Sequence, residues 1–104
     1  MKTILITGAS GFIAPHIIEE SLNKNLKVIG IDILDQNPHE KINHNNYTFK
    51  KMDVRDLSLE IMKNIDYILI LAVNYADIIM KKEKKFKEKG GKFIIPRGER
   101  IEII

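Results

Sequence analysis

The glycines of the segment ILITGASGFIAPH, residues 4–16, carry the first chemical signal in this chain. Gly8 and Gly11 lie three residues apart, between two apolar stretches, and Ala14 follows after three more. Gly8 allows a tight exit from a strand, and Gly11 lets the backbone approach a phosphate without an intervening Cβ atom. Ala14 governs how closely the next helix packs on that strand. Because a helix N-terminus presents unpaired N–H groups and partial positive charge, this spacing predicts a pyrophosphate-binding loop.

A carboxylate follows at the separation that suits a bound dinucleotide. Asp32 ends the second apolar run, 21 residues after Gly11. A carboxylate there can accept hydrogen bonds from the ribose hydroxyls of adenosine and repels a 2′-phosphate. Since residues 33–46 contain no arginine, the pattern favours NAD over NADP. The alternative is that Asp32 only caps the strand end or faces solvent.

The elements that must position these residues alternate between strands and helices. Apolar runs predict short strands, and helical periodicity predicts the segments between them. The strands are expected at 3–7, 27–32, 47–52, 66–72, 92–95 and 100–104, and the helices after the glycine loop, from 56 or 58 to 65, and over 75–89. Gly90 and Gly91 should end the last helix, and residues 96–98 should form a turn. This order predicts an α/β fold with one doubly wound, mainly parallel sheet of five to six strands and three to four helices.

Composition and charge narrow the class of protein. With 104 residues, 44% apolar and 30% charged, the chain is expected to form one domain, residues 1–104, without room for a separate substrate domain. The lack of cysteine fits a reducing compartment, and no apolar run is long enough to span a bilayer. We therefore expect a cytoplasmic protein with no membrane partner.

A cluster of six lysines within residues 81–89 supplies much of the net charge of +3. One interpretation is a patch for nucleic acid or an acidic partner, and the other is the solvent face of a surface helix. The cluster contains no arginine, the residue best suited to bidentate recognition of bases. The solvent face is therefore favoured, and no nucleic-acid partner is predicted.

Four segments together resemble a known family: TGASGFIA at 7–14, GID at 30–32, MDVRD at 52–56 and DYILILA at 66–72. They are similar to the N-terminal, Rossmann-like half of NAD-dependent epimerase/dehydratases, the extended short-chain dehydrogenase/reductases that act on nucleotide sugars. The resemblance covers about residues 1–73, and Ala14 departs from the usual glycine. It implies a pyrophosphate site at Gly8, Ser10, Gly11, Phe12 and Ile13, a ribose site at Asp32, an adenine site at Asp53 and Val54, and a contact with the middle of the cofactor at Leu71 and Ala72.

The catalytic pair of that family has no plausible counterpart in this sequence. The family uses a tyrosine and a lysine four residues later on a helix, where the lysine lowers the pKa of the tyrosine. The matching spacing here is Tyr47 to Lys51, in a predicted strand, where a four-residue step does not bring the groups together. We predict no catalytic residue, so that catalysis would need another domain, another chain or a homodimer.

The segment DYILILAVNYADIIMKKEKKFKEKGGKFIIP, residues 66–96, is similar to a second family. It resembles the C-terminal Rossmann-like domain of sugar C-methyltransferases, which implies that Asn74 and Tyr75 face a nucleotide-sugar pocket. Ile78 stands where an acid is common. Four interpretations stay open: an NAD-binding or nucleotide-sugar-binding module, an epimerase or dehydratase completed by dimerisation, a nucleotide-sugar-side domain of a methyltransferase-like protein, and a scaffold without a ligand.

The histidines predict no metal site. His39 and His44 flank Glu40 in a polar segment, but their spacing matches no known ligand pattern, and solvated loop residues are the favoured interpretation. His16 is expected to be an exposed helix residue close to the glycine loop. Ser10 could bind phosphate, but nothing marks it as a nucleophile.

Overall fold

Six strands and three helices make up the computed structural model, which describes residues 1–11, 13–33, 44–71, 79–81, 84–97 and 100–103. The strands are β1 (Thr3–Thr7), β2 (Lys27–Asp32), β3 (Tyr47–Lys51), β4 (Tyr67–Ile70), β5 (Lys92–Arg97) and β6 (Arg100–Ile103). The helices are α1 (Ala14–Asn23), α2 (Leu59–Met62) and α3 (Lys84–Glu88), with a 3₁₀ turn at Val54–Asp56. Residues 79–81 are also helical.

The sheet has the order β3-β2-β1-β4-β5-β6. Strands β1 to β5 are parallel, and β6 pairs antiparallel with β5. Strand β1 is central, and all five of its residues are buried, which explains its nearly continuous apolar sequence. The strand order reverses at β1, because β2 lies on one side of it and β4 on the other. In open α/β sheets, ligands bind at such a switch point, beyond the carboxyl ends of the strands.

Two apolar clusters cover opposite faces of the sheet. Ile4 and Ile6 belong to one cluster and Leu5 to the other, because successive strand side chains point to opposite faces. Helix α1 packs on the first face through three buried residues at four-residue spacing: Ala14, Ile18 and Leu22. The second face is covered by α2 and α3, with Met62 and Phe86 in its cluster. The predicted doubly wound architecture is therefore confirmed.

Local hydrogen bonds explain where α2 begins and where α3 ends. The hydroxyl of Ser58 accepts a hydrogen bond from the backbone N–H of Ile61 at 3.3 Å, so Ser58 caps α2. After α3, the N–H of Gly90 bonds the carbonyl of Lys87, and the N–H of Gly91 bonds that of Phe86. This pair of bonds is a Schellman motif, and it confirms the predicted helix end.

The predicted turn at residues 96–98 is wrong at Pro96 and Arg97, because β5 continues through Arg97, and Gly98 lies outside the described residues. Pro96 pairs with Ile101 and Arg97 with Arg100 across the antiparallel β5–β6 ladder. The register of β5 with β4 ends at Ile94, two residues before the proline. Pro96 therefore lies where the sheet needs no N–H group directed towards β4.

The lysine cluster lies mainly in solvent. Lys81, Lys84, Lys85 and Lys87 are exposed. Lys89 differs, because its ammonium donates hydrogen bonds to three carbonyls at the end of α2, those of Met62 (2.7 Å), Lys63 (2.9 Å) and Ile65 (3.0 Å). A cation there complements the partial negative charge of a helix C-terminus. In the described part of the chain, no helix has the length and apolar character needed to cross a membrane.

Candidate functional site

The chain leaves β1 through a tight turn at Gly8. The φ angle of Gly8 is 71°, in the left-handed region that favours glycine. Its carbonyl accepts a hydrogen bond from the N–H of Gly11 at 2.9 Å, and the N–H of Ala9 donates to the carbonyl of Ile31 at 3.0 Å. The loop is thus closed on itself and fixed to the end of β2, and the tight exit at Gly8 is the one that the glycine spacing predicted.

Gly11 gives this loop an outer surface made of backbone. The residue is exposed, and a Cβ atom placed on it would lie 3.1 Å from the carbonyl oxygen of Gly8. Helix α1 follows at once, with Ile13 at its N-cap and Pro15 in its first turn. The apolar side chain of Ile13 cannot accept a hydrogen bond, so it cannot cap the helix, and it is 63% exposed. The partial positive charge of this helix end therefore faces the loop surface.

Asp32 connects the loop to the end of β2. Its Oδ2 atom accepts a hydrogen bond from the backbone N–H of Ser10 at 3.0 Å, in a partly buried position. The sequence predicted a carboxylate at this place but not its bond to the loop. Asp32 therefore orients the glycine loop as well as bringing a negative charge next to it.

A cleft of about 260 Å³ opens beside this contact. Its walls are Thr7 and Gly8 after β1, residues 31–33 at the end of β2, and residues 52–55 after β3. The N–H of Met52 donates to the carbonyl of Asp32 at 2.8 Å, which holds the ends of β2 and β3 together. Most of the lining is apolar, including Val54 and the exposed Ile33, as is usual for small-molecule sites.

Asp53 and Arg55 form an ion pair on the β3 side of the cleft. The guanidinium donates from Nη2 to Asp53 Oδ2 at 2.6 Å and from Nε to both carboxylate oxygens at 3.1 Å. Asp53 Oδ1 also accepts the backbone N–H of Arg55 at 2.9 Å, which caps the 3₁₀ turn. Arg55 was not among the predicted site residues, although an Asp two residues before an Arg was the available signal.

Tyr47 and Lys51 lie at opposite ends of β3, where they pair with Val28 and Asp32. Tyr47 packs against the cluster on the α1 face, and burial raises the pKa of its phenol from 10.0 to about 12. A tyrosine that exchanges a proton near neutral pH needs its pKa lowered. Tyr47 and Lys51 therefore do not lie together as they would on one face of a helix, and the absence of a catalytic residue stays a prediction.

The remaining predicted residues are distributed as follows. Leu71 follows β4 and packs, half-buried, against the cluster on the α1 face. His16 is exposed on α1, and His44 accepts the N–H of Asn46 on Nδ1 at 3.0 Å, before β3. The residues that lie outside the described parts of the chain are Phe12, His39, Glu40, Ala72, Asn74, Tyr75 and Ile78.

Comparisons with known proteins find one family and several relatives. The model of the NAD dependent epimerase/dehydratase family matches residues 4–87. UDP-glucose 4-epimerase 1 of Oryza sativa subsp. japonica is 34% identical over 65 residues, which are 54% of this chain and 18% of the relative. The C-methyltransferase NovU of Streptomyces niveus is 58% identical over 34 residues, 33% of this chain and 8% of NovU. The match to the epimerase thus spans about a fifth of that protein.

Solved structures show the same fold. The dTDP-glucose 4,6-dehydratase of Bacillus anthracis str. Ames, in complex with NAD, superposes on 91% of this chain and 37% of its own, with a TM-score of 0.70 and 21% identity. The Bordetella bronchiseptica enzyme WbmH, in complex with NAD+, covers 67% of this chain and 25% of its own (TM-score 0.56, 32% identity). Yeast methylglyoxal/isovaleraldehyde reductase Gre2, complexed with NADPH, covers 65% and 23% (TM-score 0.55, 25% identity).

Proposed function

Since this chain belongs to the NAD dependent epimerase/dehydratase family, we propose that its glycine loop and the cleft beside it bind NAD. The observation that carries the proposal is the 3.0 Å bond between the N–H of Ser10 and the carboxylate of Asp32. That bond places a carboxylate suited to ribose hydroxyls directly against a loop suited to phosphate. The group that prefers both at once is a nucleotide with a pyrophosphate.

In this proposal the loop and the start of α1 hold the pyrophosphate. Gly11 leaves room for the phosphate oxygens, since its exposed side presents only backbone. The uncapped helix end adds favourable charge. The residues assigned to this part are Gly8, Ser10, Gly11, Phe12 and Ile13.

The adenosine half of the ligand is assigned to the cleft. Asp32 accepts the ribose hydroxyls, and the apolar wall beyond it, with Asp53 and Val54, takes the adenine. The order of the strand ends supports this assignment, because β3 lies beside β2 on the side away from β1. Leu71 and Ala72, after β4, would then approach the middle of the dinucleotide.

The charge of the cleft favours NAD over NADP. Among the described residues that line it, Asp32 and Asp53 are negative and Arg55 is positive, so a 2′-phosphate meets a net negative wall. Structures of similar fold hold NAD+ or NADPH, so the fold alone does not fix the choice. In this proposal the side chains at the ends of β2 and β3 determine whether NAD or NADP is preferred.

Bound NAD supplies a hydride acceptor, and the residues of this chain bind and orient it. The names of the relatives point to a nucleotide sugar as the substrate of the completed assembly. We propose that another domain, another chain or a second copy supplies the catalytic groups. The match to NovU favours a second candidate, a nucleotide-sugar-binding domain of a methyltransferase-like protein. A nucleotide sugar that binds tightly without NAD would favour that candidate.

Calorimetric titration with NAD+ tests the proposed function. We expect Asp32→Ala to weaken binding by roughly 10- to 100-fold, the usual effect of losing hydrogen bonds to a charged group. The matched control is Asp66→Ala, because Asp66 also accepts a backbone N–H, that of Thr3 at 2.8 Å, at the opposite edge of the sheet. Asp66→Ala should keep wild-type affinity wherever it remains folded. Equal or negligible heats for the wild type and Asp32→Ala would refute the proposal.

A further inference from the structure

We infer that Asp53 is a positioning residue that sets the choice of dinucleotide by holding Arg55 away from a 2′-phosphate. The inference rests on the proposed function, since it concerns the same cleft. Asp53 bonds both to the backbone N–H of Arg55 and to its guanidinium. The cation in the described lining of the cleft is thereby bound to a carboxylate of the chain itself.

The geometry of the pair is fixed by local backbone structure. Asp53 is the N-cap of the 3₁₀ turn Val54–Asp56, and its side chain is 26% exposed. Its two oxygens receive Nε and Nη2 of Arg55 in a fork arrangement. A carboxylate and a phosphate compete for this same face of a guanidinium, because both accept two parallel N–H bonds from it. Arg55 can therefore serve a phosphate with that face only after it leaves Asp53.

The charges on the cleft wall point the same way. In the described lining, Asp32, Asp53 and Arg55 carry a net charge of −1. A phosphate monoester brings a further charge of about −1.5 to −2 near neutral pH. Removing the charge of Asp53 makes the described wall neutral and takes the carboxylate away from Nε and Nη2 of Arg55. The wall then changes from one that repels a 2′-phosphate to one that can pair with it.

One substitution can remove the carboxylate from Arg55, and the pair is accessible to solvent. The Arg55 side chain is 73% exposed, and ion pairs between exposed groups are worth little. The pair therefore contributes little to stability, so its removal should leave the fold intact. Asp53→Asn removes the charge and keeps the turn, since an asparagine oxygen also accepts the capping N–H.

The test is calorimetric titration of the full chain with NAD+ and with NADP+. The proteins are the wild type, Asp53→Asn, Arg55→Met and the double variant. We expect the wild type to prefer NAD+, and Asp53→Asn to shift the ratio of the two affinities towards NADP+ by roughly tenfold, the effect of about one charge-assisted interaction. Arg55→Met should keep the preference for NAD+, and in the double variant the shift should disappear.

The measured quantity is the ratio of the affinities for NAD+ and NADP+, because a structural defect in the turn weakens the binding of both ligands together. If Asp53→Asn does not fold, Asp53→Ser replaces it, since serine also caps such turns. An unchanged ratio in the neutral variant, or a shift that persists without Arg55, overturns the inference while NAD+ binding by the wild type still supports the proposed function. If the wild type binds neither dinucleotide, the proposed function fails, and this inference fails with it.

Discussion

Two turns that each contain a pair of glycines lie at opposite ends of the strands, and the glycines have different roles in them. Gly8 and Gly11 lie after the carboxyl end of β1, where α1 begins. Gly90 and Gly91 lie before the amino end of β5, where α3 ends. In the first turn, a Cβ atom added to the exposed Gly11 would approach only a carbonyl of the same loop. In the second turn, a Cβ atom on the buried Gly91 would overlap the ring of Phe86.

The difference shows that the same residue type can keep space open for a ligand or close space within a core. Phe86 is 1% exposed and packs on Phe93 with ring centroids 5.3 Å apart. Gly91 therefore serves the stability of the fold. Gly11 leaves its free volume on the outside, so its removal should affect binding more than stability.

The largest effect is expected at the second turn. Gly91→Ala should lower the free energy of unfolding by about 3 kcal/mol, because the new methyl group forces the buried Phe86 ring to move. Urea unfolding measures this loss. The matched control is Gly90→Ala, which has open space around the new atom but a φ angle of 98°, so it should lose only about 1–2 kcal/mol. Equal losses for the two variants would contradict the steric explanation.

The contribution of Tyr47, which packs near the first turn, to the free energy of unfolding should depend on pH. A Cβ atom on Gly30 would collide with both Ala9 of the loop and the hydroxyl of Tyr47, so Tyr47 lies under the glycine loop. Burial raises the pKa of Tyr47 from 10.0 to about 12. Between these values the folded chain keeps a proton that the unfolded chain has lost. The free energy of unfolding should therefore be unaffected by this group below about pH 10 and fall by up to about 2 kcal/mol as the pH rises towards 12.

Chemical denaturation of the wild type and Tyr47→Phe across this alkaline range checks the prediction. The difference in stability between the two proteins isolates Tyr47 from the other groups that titrate there. A constant difference from pH 8 to about 12 would contradict the role of the buried phenol.

A smaller effect is expected for Gly11→Ala, and it should appear in binding. The added methyl group projects from the surface proposed to hold phosphate, so the affinity for NAD+ should fall about tenfold, or about 1.4 kcal/mol. The free energy of unfolding should change by less than this, because the Gly8 carbonyl needs to move by only a few tenths of an ångström. Calorimetry and urea unfolding of the same sample separate the two quantities. A loss of stability without a loss of affinity would give both turns the same role.

The smallest effect concerns Lys89, next to the second turn. Lys89→Met should lower the free energy of unfolding by about 1 kcal/mol, since it removes the ammonium from three carbonyls after α2 but keeps most of the apolar stem. Thermal unfolding measures the loss. Lys87→Met, on the exposed side of α3, is the control and should leave stability nearly unchanged. Equal effects would indicate a general loss of charge instead of a helix cap.

Sequence patterns predicted the parts of this fold that depend on local chemistry. The strands at 3–7 and 27–32 coincide with β1 and β2, because residues buried on both faces give continuous apolar runs. The same pattern extended the fourth strand to 66–72, although β4 covers Tyr67–Ile70. Boundaries fail in this way because apolar residues next to a strand also pack in the core, as Leu71 does.

In the candidate site too, features set by local residue types were predictable and features set by distant contacts were not. The turn at Gly8 was predictable, since a positive φ angle requires a particular residue type. The bond between Ser10 and Asp32 was not, because it joins residues 22 positions apart and depends on the register of β2 against β1. Nor was the cleft that Asp32 and Arg55 line together, because it requires the ends of β2 and β3 to lie side by side. Local conformational preferences can thus be predicted from the sequence, whereas contacts between distant residues require the structure.

The central place of β1 has a consequence for the order of folding. Its partners lie far along the chain, with Thr3 beside Lys27 in β2 and Ile4 beside Tyr67 in β4. Pairings between such distant segments require large loops to close, and parallel strands are correspondingly slow to assemble. The glycine loop gains support on both sides only when β4 has joined the sheet. Its capacity to hold an anion should therefore emerge late in folding, as a property of the completed sheet.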